Sequence, residues 1–272
     1  MSELEKREGD TLTLQEIRTS IQNLLSDDFT SRGVSLEELE TSGTKGAQEV
    51  IRTMWKKATD PHAMNRLCEA LEEIGKPSLG YIVAALDQIS DIRKPTDAYL
   101  VLNLIETLYR IEDPIASRPV SEQLTKFNAA IDRNHNNVLV DICEQAKVRI
   151  HTILAYWNYS EASDDLHLML GDGRKRVRDG LVDVLGQFGD RRALLPLIRL
   201  YPIEQNVSMS GATTIRQSFR EIIRRHEIVD SEPLFHELTH DERGTLEKLY
   251  PKMKLKKPIK ISFQSHNNSL YF

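Results

Sequence analysis

The sequence predicts an all-α fold, an α-solenoid of about five two-helix repeats with an N-terminal helical cap and a basic C-terminal tail. Three observations predict it. Apolar residues recur at helical spacing along most of the chain. Strand-type alternation is nearly absent, confined to a brief stretch near the end, ISFQSHNNSLYF. Segments of similar pattern recur at intervals suited to a pair of helices. The 272 residues suffice for one large domain or an elongated repeat array.

The N-terminal cap, 1–59, opens with a helix over about 13–26. Thr13 and Glu16 make a capping box, and Leu14, Ile17, Ile21, Leu24 and Leu25 form one apolar stripe. A second box, Ser35 with Glu38, predicts the start of a short helix, and TSGTKG at 41–46 predicts a turn or linker. Ala47, Val50, Ile51, Met54, Trp55 and Ala58 then share a face. Asp60-Pro61 ends that helix and starts the next, because a residue before proline avoids the helical region.

The array is expected over 60–250. Four segments align by a leucine anchor: LEEIGKPSLGYIVAAL, LYRIEDPIASRPVSEQL, LAYWNYSEASDDLHLML and LGQFGDRRALLPLIRL. A fifth, IRRHEIVDSEPLFHEL, has isoleucine at the anchor. Each pattern is the end of one helix, a polar turn and a second amphipathic helix ending in leucine. The anchors Leu71, Leu108, Leu154, Leu185 and Ile223 are separated by 37, 46, 31 and 38 residues. Neither helix of such a unit can bury its apolar face alone, whereas stacked neighbours create a continuous core. The longest interval predicts an inserted, irregular loop at about 125–137, KFNAAIDRNHNN. In the unit at 172–200, Asp172 is the expected N-cap. Val177, Leu181, Val184, Leu185 and Phe188 form the apolar face. Gly189 is expected to end the helix in a left-handed conformation, and Asp190 to start the turn. The tail, 251–272, carries KMKLKKPIK and is expected to be disordered or to form a strand on a partner.

The run DGRKRVRDGLVDVLGQFGDRRALLPLIRL resembles a HEAT-type repeat, of the variety also found in bilin-lyase-related proteins. IGKPSLGYIVAAL resembles it too, the remaining units are degenerate, and the resemblance covers about 60–240. It implies a scaffold, adaptor or binding surface rather than a catalyst. A protein-modifying role like that of the bilin-lyase-related members would need a substrate pocket, and the residues identify none.

Composition agrees with a folded, water-exposed protein: 40% hydrophobic and 28% charged. No run approaches the roughly 18 apolar residues of a membrane span, so no membrane partner is expected. MSELEKREGD lacks the apolar core of a signal peptide, which predicts a cytoplasmic protein. Asn-x-Ser triplets at Asn158, Asn206 and Asn267 are then glycosylation signals in form only. Cys68 and Cys143 sit at helical spacing among apolar residues and read as small core side chains. The net charge of −5 conceals a polarity. Residues 1–170 hold 18 basic and 28 acidic side chains, a balance of −10, and residues 171–272 hold 18 and 13, a balance of +5. That favours an acidic partner, or the acidic end of one, near the C-terminal half.

LFHELTH, 234–240, contains the His-Glu-x-x-His of zinc hydrolases, which place two histidines one turn apart on a helix beside a glutamate base. His236 and His240 are therefore the metal candidates and Glu237 the candidate base. A third ligand is lacking: no acidic residue follows Glu247, Gly244 is one position late for the glycine-turn pattern, and no histidine follows at the needed spacing. On a helix from Pro233, Leu234, Phe235 and Leu238 would face the core and the histidines would point outward. The match therefore reads as coincidental, with no enzyme, metal or cofactor expected. DRNHNN at 132–137 imitates a calcium loop, but its twelfth position is Cys143 rather than a carboxylate.

The basic cluster carries the binding expectation. Arg174, Lys175, Arg176 and Arg178 are expected in the first turns of a helix, where cations are disfavoured, and Arg191, Arg192 and Arg199 follow. These seven are the candidate partner-binding residues, with a protein bearing an acidic patch as the expected partner. Arg216, Arg220, Arg224 and Arg225 continue the pattern. Nucleic acid is the alternative partner, disfavoured by the net acidity and by the 6% aromatic content. Trp55 and Trp157 are expected in the core. A zinc-dependent hydrolase built on HELTH is the remaining alternative.

Overall fold

In a computed structural model of the chain, residues 12–134, 137–229 and 232–251 are described. Every regular element among them is helical. α1 (Leu14–Leu24) has the expected capping box: Glu16 N–H donates to Thr13 Oγ1 at 3.3 Å, and Glu16 Oε2 accepts from Thr13 N–H at 2.7 Å. α2 differs from expectation. It runs Phe29–Lys57 from an Asp28 cap, so Ser35 lies inside the helix, buried, with its hydroxyl donating to the Ser31 carbonyl. The short separate helix is absent because Asp28, seven residues earlier, supplies the cap. TSGTKG is a kink rather than a linker: Gly43, at φ 55°, breaks the helical path inside α2. Trp55 is 38% exposed, not a core residue, whereas Trp157 packs half-buried on the core.

The elements that follow are α3 (Pro61–Ile74), α4 (Leu79–Gln88), α5 (Pro95–Arg110), α6 (Ser117–Arg133), α7 (Asn137–Tyr156), α8 (Ser163–Leu170), α9 (Leu181–Phe188), α10 (Leu194–Val207), α11 (Met209–Arg225) and α12 (His240–Leu249). Proline fixes the first position of α3 and α5, where its missing N–H costs nothing. Short 3-10 turns precede α4, α6 and α10, and one more lies at Pro233–Phe235. The anchors Leu71, Leu108, Leu154, Leu185 and Ile223 are each at most 4% exposed, and the closing Leu86, Leu124, Leu170, Leu200 and Leu238 at most 6%.

Helices α7 and α11 each end on a left-handed residue. Asn158 (φ 55°) and Glu227 (φ 49°) follow α7 and α11. There Tyr159 N–H bonds the Leu154 carbonyl and Ile228 N–H bonds the Ile223 carbonyl, closing each helix five residues back. The anchor residue thus supplies both a core side chain and the acceptor that terminates its helix.

Three local expectations are corrected. The segment at 125–137 is no loop: its residues as far as Arg133 belong to α6, and α7 begins at Asn137, so the extra length extends helices. Asp172 caps no helix, because α9 starts at Leu181 and residues 171–180 form a chain of turns; Asp172 Oδ1 instead accepts from Arg174 N–H at 3.0 Å. The glycines in this stretch explain the difference, with Gly173 at φ 73° and Gly180 at φ 86°, backbone incompatible with a helix. Gly189 is not left-handed. A side chain there would meet the Leu185 carbonyl at 2.5 Å and Ile222 at 3.1 Å, so its role is close packing.

The chain forms two compact units. Among the described residues, the first comprises those of 12–165 with 178–181, the second those of 166–177 with 182–251. In the first, α2 packs on α1 and α3, α3 on α5, and α5 on α7, while α4 packs on α6. One apolar core runs through it from Ile17 to Leu154. In the second, α10 packs on α11 and α12, with Tyr201, Phe219 and Phe235 buried. No helix among the described residues is long and apolar enough to cross a membrane. The basic tail beyond Pro251 lies outside the described residues.

Candidate functional site

The first unit presents a charged face made by α2, α3, α5 and α7. A groove of about 610 Å³ is lined by Arg32, Arg66, Glu69, Glu72, Glu106 and Arg110, among others. Ion pairs bridge one helix to the next here: Arg32 to Glu69 at 3.4 Å, Arg110 to Glu72 at 2.8 Å and, beside the groove, Arg149 to Glu106 through Nε and Nη2. The partners are 37, 38 and 43 residues apart, close to the spacing of the leucine anchors. Each such pair contributes little to stability where exposed. Together they fix the register of neighbouring helices while their outer atoms stay open to solvent. Burial pushes the Cys68 thiol bordering this groove up to about 11, so it is no thiolate nucleophile at neutral pH.

A second cluster in the same unit escaped sequence reasoning. Asp165 Oδ2 lies 2.7 Å from His151 Nε2, and Asp165 Oδ1 lies 3.0 Å from Lys147 Nζ and accepts from Asn128 Nδ2 at 2.7 Å. Lys147 donates in turn to Asn128 Oδ1. Lys147 and His151 are 5% and 2% exposed. Burial pushes the Asp165 carboxyl up, but the hydrogen bonds from His151 and Asn128 and the Lys147 charge outweigh it and hold the group down at about 2. The signal was present: Lys147 and His151 stand four apart among Cys143, Ala146, Ile150 and Leu154, polar residues at core positions of α7. Their mutual satisfaction locks α6, α7 and the start of α8 together.

The seven basic residues expected to bind a partner are divided between the two units. Arg178 belongs to the first unit and the other six to the second. Most are already engaged by carboxylates. Arg174 pairs with Asp172 at 3.4 Å, Arg176 with Glu204 at 3.1 Å, Arg191 with Glu232 at 3.2 Å, Arg192 with Asp190 at 2.8 Å and Arg199 with Glu242 at 2.7 Å. Arg178 bonds Asp141 and, at 3.0 Å, Glu144. Arg174, Lys175, Arg176 and Arg178 occupy no helical first turn, because α9 starts only at Leu181, while Arg191 and Arg192 lie in the 3-10 turn before α10 and Arg199 within α10. Lys175 is exposed.

The arginines of α11 are placed differently. Arg216, Arg220 and Arg224, with Thr213, Gln217 and Glu221, line a groove of about 450 Å³. None of the three pairs with a described carboxylate. Arg216 donates to the Tyr201 hydroxyl, its guanidinium 5.7 Å from that ring, and Arg220 Nε donates to the Leu249 carbonyl at 3.3 Å. Arg225 is engaged elsewhere, donating to the carbonyls of Gly186 and Gly189 at 2.7 and 2.6 Å.

The HELTH segment does not form a single helix. Pro233–Phe235 is a 3-10 turn, and α12 begins only at His240, capped by Thr239 with Glu242 in a capping box. His236 and His240 are both exposed but belong to different elements, so the expected pair on one terminal helix face is corrected. Thr239 wins because its hydroxyl and Glu242 satisfy the first free N–H groups of a new helix. Among the described residues no group of three or more His, Cys, Asp or Glu is placed to hold a metal.

The chain matches no family model, no curated protein and no solved structure.

Proposed function

We propose that the chain is a non-enzymatic protein-binding scaffold or adaptor, built as a HEAT-like solenoid and working in the cytoplasm. Its basic C-terminal half would contact an acidic protein partner. The observation that carries the proposal is the side-by-side packing of α3, α5 and α7, which leaves one continuous polar face of exposed, cross-paired charges over a sealed apolar core. Such a face offers many graded contacts and no concentrated chemistry, which suits recognition. Buried leucine anchors at two-helix spacing support the repeat reading.

Affinity capture from the native source with the full chain, with and without nuclease, tests it. The expected result is a defined protein recovered in near-stoichiometric amount, insensitive to nuclease and weakened by salt. Capture that disappears with nuclease would instead favour the nucleic-acid alternative, and absence of any stoichiometric partner would remove the scaffold reading.

A further inference from the structure

We propose that α11 is the contact surface itself, and that it takes an acidic helix of a partner protein whose carboxylates repeat every fourth residue. The inference deepens the scaffold reading above and rests on it. Arg216, Arg220 and Arg224 stand four residues apart, so each guanidinium is displaced about 6 Å along the axis from the last. Like charges at this spacing work against a helix. Elsewhere in the second unit the structure neutralises such charges: Arg174, Arg176, Arg191, Arg192 and Arg199 each have a carboxylate. The α11 arginines have none among the described residues.

Their bonding leaves capacity in the groove. Arg216 is held over Tyr201, and its Nε is buried with no hydrogen-bond partner. Arg220 spends one nitrogen on the Leu249 carbonyl. Arg224 is exposed. The Thr213 hydroxyl is spent on the Met209 carbonyl at 2.8 Å, and Gln217 spends one amide N–H on Glu221, which leaves it a second. Among the described residues Glu221 is the one acid lining the groove, and it accepts from Gln217 at 3.0 Å. A helix with carboxylates at four-residue spacing matches the guanidinium spacing, and each carboxylate can take two N–H donors from one arginine. Arg216 lies over Tyr201, but among the described residues no aromatic side chain lines the groove, so a single nucleic-acid strand would find no stacking platform there.

The test uses the full chain and a labelled helical peptide of about 20 residues with glutamate every fourth position. Alongside it run a scrambled peptide of identical composition and a DNA duplex of similar charge. The patterned peptide is expected to bind several-fold tighter than the scramble and than the duplex. Arg220→Glu with Arg224→Glu should weaken it about tenfold or more while leaving the circular dichroism unchanged. Reversal of Arg93 and Arg118, exposed arginines of the first unit, should change it less than about twofold. Equal binding of the scramble, tighter binding of the duplex, an unaffected double variant, or equal loss from Arg93 and Arg118 would each overturn the proposal. So would concentration-dependent self-association abolished by the double variant, which would make a second copy the occupant. Peptide failure beside a nuclease-insensitive captured partner removes only this surface. Peptide binding with no captured partner removes the scaffold reading.

Discussion

Asp165 and His151 meet at 2.7 Å with His151 2% exposed, and the same carboxylate reaches Lys147, itself 5% exposed. One acid therefore satisfies a buried histidine and a buried ammonium on the same helix. Removing it strands Lys147 without a counter-charge, and loss of one partner from a buried pair costs about 3 kcal/mol or more. Asp165→Ala is expected to lower urea-unfolding stability by about that much. Asp165→Asn, which can still accept from Lys147, should cost less. Equal, sub-kilocalorie effects from both would contradict the linked arrangement.

The same carboxyl gives a pH signature. Its folded value is held below the ordinary carboxylate value, at about 2. A depressed acid contributes stability that is fully present above the unfolded value of about 4 and lost as pH falls through the folded value. The difference in melting temperature between wild type and Asp165→Asn should therefore be constant from about pH 7 to 5 and shrink between about pH 4 and 2. A difference that stays flat down to pH 2 would show that Asp165 is not the titrating group.

The helical class, the capping box of α1, the proline start of α3 and the leucine anchors were legible in the sequence, because each depends on spacing within a short window. Leu154 and Ile223 illustrate this, since their periodicity alone marks them as core. What escaped was set by competition between local signals or by distant partners. Ser35 and Glu38 form a valid box pattern, but Asp28 caps first and the helix simply runs through them. Val177 continues the helical apolar spacing of Leu181, Val184, Leu185 and Phe188, yet Gly173 and Gly180 hold the backbone open. The pairing of Arg176 with Glu204, across 28 residues, has no local trace. Lys147 and His151 were visible as misfits on an apolar face, but only the fold shows that Asp165 resolves both.

Gly173 tests the turn before α9. It sits at φ 73°, and a side chain there would meet the Pro196 carbonyl oxygen at 2.0 Å, with no flexible group able to yield. Gly173→Ala is expected to destabilise by about 3 kcal/mol, combining left-handed strain with overpacking. Gly33 is the counterpart, inside α2, where an added methyl group would meet nothing within 4 Å. Gly33→Ala should stabilise by about 0.5–1 kcal/mol through helix propensity. Chemical denaturation of the two variants distinguishes a required glycine from an incidental one.

Arg176 and Arg224 separate folding from recognition. Glu204, the partner of Arg176, has a side chain only 8% exposed. Arg176→Glu would set two carboxylates against each other there, and a loss of about 2–3 kcal/mol is expected in thermal or urea unfolding. Arg224 is exposed with no described carboxylate partner, so Arg224→Glu should leave stability within about 0.5 kcal/mol. The reverse pattern would mean that Arg176, not Arg224, is available to a partner.

Thr239 divides the HELTH segment, and its replacement shows what that segment does. Its hydroxyl accepts from Glu242 N–H at 3.3 Å, and Glu242 accepts in return from Thr239 N–H at 2.8 Å while also pairing with Arg199. Thr239→Ala should cost about 1 kcal/mol as a lost cap. His236→Ala with His240→Ala should cost less than about 0.5 kcal/mol, since both side chains are exposed. A zinc site would reverse this order. Stoichiometric zinc in tag-free protein, lost in the double histidine variant together with several degrees of melting temperature, would establish the hydrolase alternative. Helix capping instead predicts that the threonine matters, the histidines do not, and added zinc leaves the melting temperature unchanged.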